Sequence, residues 1–79
     1  MPHMEAEHRA LCAVLVDART RAKLTQRELA DRMSRLQSFI GKIEGGSRHI
    51  NVIEFIQVAR ALELDPAKLM KADIEATGL

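Results

Sequence analysis

A chain of 79 residues with one cysteine has room for one small domain, held by neither a disulfide framework nor a cysteine-rich zinc site. Apolar residues make up 47% and aromatic residues 3%, with Ala, Leu, Ile, Glu, Lys and Arg abundant, a balance that predicts packed helices and argues against a sheet. No apolar run approaches the roughly 18 residues of a membrane span. Met1-Pro2-His3-Met4-Glu5 also lacks the basic-then-apolar order of a signal peptide, so a cytoplasmic address with Cys12 reduced is expected.

The first helix is predicted over about residues 5–21. Leu11, Val14, Leu15, Ala18 and Ala22 recur at the three- and four-residue spacing of one helical face, and Cys12 and Val16 widen the stripe. The next start is the best marked. Thr25-Gln26-Arg27-Glu28 is a capping box, with Leu24 and Leu29 placed as a hydrophobic staple. The second helix is therefore short, about residues 26–33, with Leu29, Ala30 and Met33 inward. A third follows over about residues 36–44, with Ile40 and Ile43 inward, and Gly45-Gly46 ends it. Asn51-Val52-Ile53-Glu54 repeats the box, with Ile50 and Phe55 as staple, and opens a fourth helix through Val58, Ala59 and Leu62. Asp65-Pro66 then caps a fifth that carries Leu69, Met70 and Ile74. The expectation is an all-α, compact five-helix bundle in a single domain over residues 1–79, with its core within about residues 5–70 and a tail at 71–79.

The net charge of +1 conceals an uneven distribution. Between residues 19 and 48, Arg19, Arg21, Lys23, Arg27, Arg32, Arg35, Lys42 and Arg48 face only Glu28, Asp31 and Glu44. Both flanking segments are mildly acidic. A basic middle suits a polyanion.

Two short helices joined by a tight turn form a helix-turn-helix pattern. The outward positions of the third helix are Gln37, Ser38, Gly41 and Lys42, none of which adds to a core. A glutamine amide matches the N6/N7 edge of adenine, lysine can donate to O6 and N7 of guanine, and a serine hydroxyl adapts to several partners. Gly41 would let the helix backbone come close to a duplex, at a helix-interior cost of roughly 1 kcal/mol against alanine. Catalysis has no comparable foothold, and neither a cofactor nor a metal site is expected. His8 and Cys12 stand four apart, but no third ligand is near in sequence. Phe39 is expected to pack, not to intercalate.

The segments Leu24-Thr25-Gln26-Arg27-Glu28-Leu29-Ala30, Gln37-Ser38-Phe39-Ile40-Gly41-Lys42-Ile43-Glu44-Gly45-Gly46 and Ala59-Arg60-Ala61-Leu62 with Asp65-Pro66, in this order and spacing, resemble the phage-repressor (Cro/cI, or XRE) family of helix-turn-helix regulators. The resemblance covers about residues 11–70. It implies a lambda-repressor-like bundle in which the third helix reads bases through Gln37, Ser38 and Lys42. It implies phosphate contacts from Thr25, Gln26, Ser47 and Arg48, a Gln26–Gln37 hydrogen bond, and an Arg19–Glu44 ion pair tying the first helix to the third. Three positions depart from the family pattern. Ser34 replaces the usual turn glycine, Leu36 the usual polar cap, and Gly45 a common Asn or Arg.

The function implied is that of a transcriptional regulator, a repressor or autoregulator of the phage or restriction-modification type, binding a palindromic operator in double-stranded DNA as a homodimer. The dimer surface is expected on the fifth helix and the 71–79 tail, with Ile53 and Ile56. RNA polymerase is a further possible partner. The alternative is a helical protein-binding module, such as an antitoxin, whose main ligand is a toxin-like protein.

Overall fold

In the computed structural model, which describes residues 5–78, the chain forms five helices: α1 (Glu5–Arg21), α2 (Gln26–Arg32), α3 (Gln37–Glu44), α4 (Val52–Ala61) and α5 (Pro66–Thr77). Their starts are fixed locally. The Thr25 hydroxyl accepts from the Glu28 amide at 3.0 Å while the Glu28 carboxylate accepts from the Thr25 amide at 2.8 Å. Asn51 and Glu54 repeat this exchange at 2.7 and 3.0 Å, and Asp65 caps the Ala67 amide at 2.9 Å. Each reciprocal pair satisfies two amides that a helix start otherwise leaves orphaned.

Three of the connections use the same device. Lys23, Ser34 and Glu63 adopt φ of 60, 55 and 59°, the left-handed region that favours glycine. After each, an amide reaches back five residues: Leu24 to Arg19 (3.3 Å), Arg35 to Ala30 (2.9 Å) and Leu64 to Ala59 (2.8 Å). These bonds give orphan carbonyls at the helix ends a partner and offset the left-handed strain. The turn at Ser34 also closes α2 at Arg32, one residue before the expected end at Met33.

Leu15, Leu29, Ala30, Phe39, Ile40, Ile43, Phe55, Val58, Ala59, Leu62 and Leu69 make the core, with Leu11, Val14, Leu24, Met33 and Met70 packed against it. α1 lies against α3 and α5, and α2 against α3 and α4. Ala30 and Ala59 are fully buried, so small residues sit where helices approach most closely. Ala22, expected inward, is exposed because α1 ends one residue before it. Cys12 is buried, and its thiol donates to the Ile43 carbonyl at 3.2 Å, joining α1 to α3. No helix among the described residues is long and apolar enough to cross a membrane. The residues 1–4 considered for a signal peptide, and the last residue of the tail, Leu79, lie outside those described.

Candidate nucleic-acid interface

α3 is divided lengthwise. Phe39, Ile40 and Ile43 are buried beneath it, while Gln37, Ser38 and Lys42 are exposed and Gly41 is half-exposed between them. Positions 37, 38, 41 and 42 fall on one face because a helix repeats every 3.6 residues. The result is an open polar ridge. Lys42 has no ion-pair partner among the described residues, so its charge is available. A methyl group added at Gly41 would meet only Gln26 Oε1, at an ordinary contact distance of 3.5 Å. Nothing inside the protein therefore requires glycine there.

Behind the ridge, polar side chains are locked in series. Arg19 donates to Glu44 through Nε at 2.7 Å and Nη2 at 3.0 Å, and through Nη1 to the Leu24 carbonyl at 2.8 Å. Both partners are largely buried, with 13% and 6% of their side chains exposed. The Glu44 hydrogen bond raises the Arg19 pKa further, so the guanidinium stays charged. Glu44 also accepts from Gln26 Nε2 at 2.9 Å, and Gln26 Oε1 accepts from Gln37 Nε2 at 3.4 Å. The chain of contacts runs from α1 through the end of α3 and the start of α2 to the first residue of the ridge. Its last link is long and weak, which leaves the Gln37 amide free to turn toward another partner.

A second cluster pins the loop after α3. Arg48 donates to both oxygens of Glu54, at 2.9 and 2.8 Å, and to the His49 carbonyl at 3.0 Å. Arg35 approaches the same carboxylate at 3.9 Å. Both guanidiniums lie over the Phe39 ring, Arg35 at 4.3 Å and Arg48 at 4.7 Å from its centre, within cation–π range. The Arg48 hydrogen bonds, followed by that from the Asn51 amide, lower the Glu54 pKa to about 2. Arg48 is thus a braced side chain, not a free loop arm. Sequence reasoning missed this cluster, although Glu54 was legible as a capping residue. Phe39 is buried, as a packing residue should be.

Of the other singled-out residues, Thr25 is exposed at the start of α2, its hydroxyl oxygen accepting from the Glu28 amide. Ser47 is exposed, its hydroxyl 3.4 Å from the Lys42 carbonyl. The His8 imidazole lies 3.2 Å from the Gly46 carbonyl and stacks edge-on against His49 at 4.4 Å. His8 and Cys12 are 3.9 Å apart, but no group of three potential metal ligands gathers among the described residues.

A helix-turn-helix family model matches residues 15–69, which span all of α2, α3 and α4. An XRE-family like protein from Pseudomonas syringae pv. tomato str. DC3000 is 38% identical, over 94% of this chain and 90% of that one, with a TM-score of 0.86. The restriction-modification controller protein C.AhdI from Aeromonas hydrophila is 27% identical, over 84% of this chain and 96% of its own, with a TM-score of 0.76. No curated protein sequence matches the chain. An all-α bundle with a braced, outward-facing third helix, matched across these residues, belongs to the Cro/cI (XRE) family of helix-turn-helix, DNA-binding transcription regulators.

Proposed function

We propose that this regulator binds a short, imperfect palindrome as a homodimer and acts as a repressor or autoregulator. One α3 of each copy enters the major groove, and the half-sites lie about 34–36 Å apart. Gln37, Ser38 and Lys42 contact base edges, while Thr25, Gln26, Ser47 and Arg48 contact phosphates. The observation that carries this is the open ridge on α3, held from behind by Arg19, Glu44 and Gln26. Holding the backbone of the ridge in place beforehand lowers the ordering cost of binding, while the weakly held Gln37 amide can still turn to a base edge.

Dimerisation through α4, α5 and the 71–79 tail is supported by apolar side chains left in solvent. Ile53 is 69% exposed and Ile74 44%, whereas Ile56 is half-buried and contributes less. Autoregulation takes support from the likeness to a restriction-modification controller. By blocking access to a promoter, such a dimer represses without needing a second domain.

Selection of duplexes from a random pool, followed by affinity measurements against salt, tests the proposal. The expected result is a recovered palindrome, with log affinity falling against log salt at a slope near −0.9 for each phosphate neutralised. Recovery of unrelated sequences, with affinity insensitive to salt, would favour a partner protein as the main ligand.

A further inference from the structure

Leu36 is out of place in two ways at once. Among the exposed large apolar side chains of the described residues it is the most exposed, at 78%. It also occupies the N-cap of α3, where it makes no side-chain hydrogen bond. The other helix starts at α2, α4 and α5 are capped by Thr25, Asn51 and Asp65. The backbone does not forbid a cap here. At φ −73° and ψ 150°, Leu36 has nearly the extended conformation of Thr25, at φ −75° and ψ 165°. A serine or threonine would fit and would offer a side-chain oxygen to the Phe39 amide, which now donates to the Leu36 carbonyl at 3.0 Å. Leucine therefore forgoes a cap and also leaves its side chain in water, and no internal contact repays either loss.

The position explains the choice. Leu36 immediately precedes Gln37 and Ser38, at the leading end of the ridge assigned above to the major groove, so the inference rests on that assignment. Its chain neighbours Arg35, Gln37 and Ser38 are all polar and exposed, which is a poor setting for an apolar protein interface. The edges of the base pairs in the major groove carry donors, acceptors and one apolar group, the C5 methyl of thymine. An isobutyl group can gain only from that methyl. We infer that Leu36 is a specificity-determining residue that selects thymine, through van der Waals contact with its C5 methyl, at one position in each half-site.

The test uses the full chain and a duplex recovered by selection, with each thymine replaced in turn by deoxyuridine, which lacks only the methyl. Affinities are measured for the wild type, Leu36→Ser and Leu36→Ala. Leu36→Ser offers the Phe39 amide a hydroxyl, so folding is preserved, and Leu36→Ala controls for new contacts from that hydroxyl. At one thymine per half-site, deoxyuridine is expected to weaken the wild type about fourfold, the worth of one buried methyl. Both variants should bind the two duplexes equally. The inference is overturned if every deoxyuridine affects wild type and variants alike, if the half-sites contain no thymine, or if Leu36→Ser changes the oligomeric state. Failure of the wild type to retain any duplex would instead remove the DNA-binding assignment on which the inference stands.

Discussion

Removing Arg19 should damage the protein far more than removing Arg19 and Glu44 together. In Arg19→Ala, Glu44 loses hydrogen bonds of 2.7 and 3.0 Å and the Leu24 carbonyl loses one of 2.8 Å. The carboxylate, with 6% of its side chain exposed, keeps only Gln26. Leaving one member of a buried ion pair uncompensated costs about 3–5 kcal/mol. A domain of this size has roughly 4–12 kcal/mol in total, and each kcal/mol moves its melting temperature by about 4–8 °C. Circular dichroism at 222 nm should therefore show Tm falling by at least 12 °C or so. Arg19→Met combined with Glu44→Met removes both charges and both desolvation penalties, so most of that stability should return. The double variant should nevertheless discriminate bases about tenfold less well, because Gln26 has lost the carboxylate that aims it toward Gln37. A single variant that melts within about 4 °C of the wild type, or a double variant that melts no higher than the single, would refute the reasoning.

Other outcomes follow from the same contacts. Folding lowers the Glu54 pKa from its usual 4.5 to about 2, so its stabilising contribution is complete above about pH 4.5 and is lost as pH falls through about 2. Melting curves between pH 7 and pH 2 should show this loss, and Glu54→Gln should reduce the acid dependence while lowering stability at neutral pH. Gly41→Ala should fold as well as the wild type or better, since its methyl meets only a flexible side chain at 3.5 Å. Its affinity for selected DNA should nonetheless fall in a gel-shift titration if the backbone approaches the duplex closely there. Thr25→Ala should cost about 1 kcal/mol in urea denaturation, with Thr25→Ser nearly silent. Ser34→Gly, at φ 55°, should gain up to about 1 kcal/mol in the same assay without altering DNA affinity.

What was legible in the sequence was whatever is encoded locally. The boxes at Thr25–Glu28 and Asn51–Glu54 and the Asp65-Pro66 start place three helices because both partners lie within a few residues. The outward set on α3 follows from periodicity alone. Lys23 and Glu63 escaped notice as left-handed positions because the usual signal is glycine, and here backbone bonds reaching back five residues offset the strain. Arg48 was expected only as a phosphate contact, because nothing in its spacing shows that α4 turns Glu54 back toward it, or that Phe39 lies beneath it. Cys12 was ambiguous for a similar reason, since its partner is a carbonyl 31 residues away.

The central claim is that Gln37, Ser38 and Lys42 meet base edges. It is tested most directly by NMR of the isotopically labelled protein bound to a selected duplex, through nuclear Overhauser contacts between side chains and base protons. The expected result is contacts from these three residues to major-groove protons, with thymine methyls and cytosine H5 among them. Contacts confined to α1 and α5, with the α3 ridge left in solvent, would contradict it.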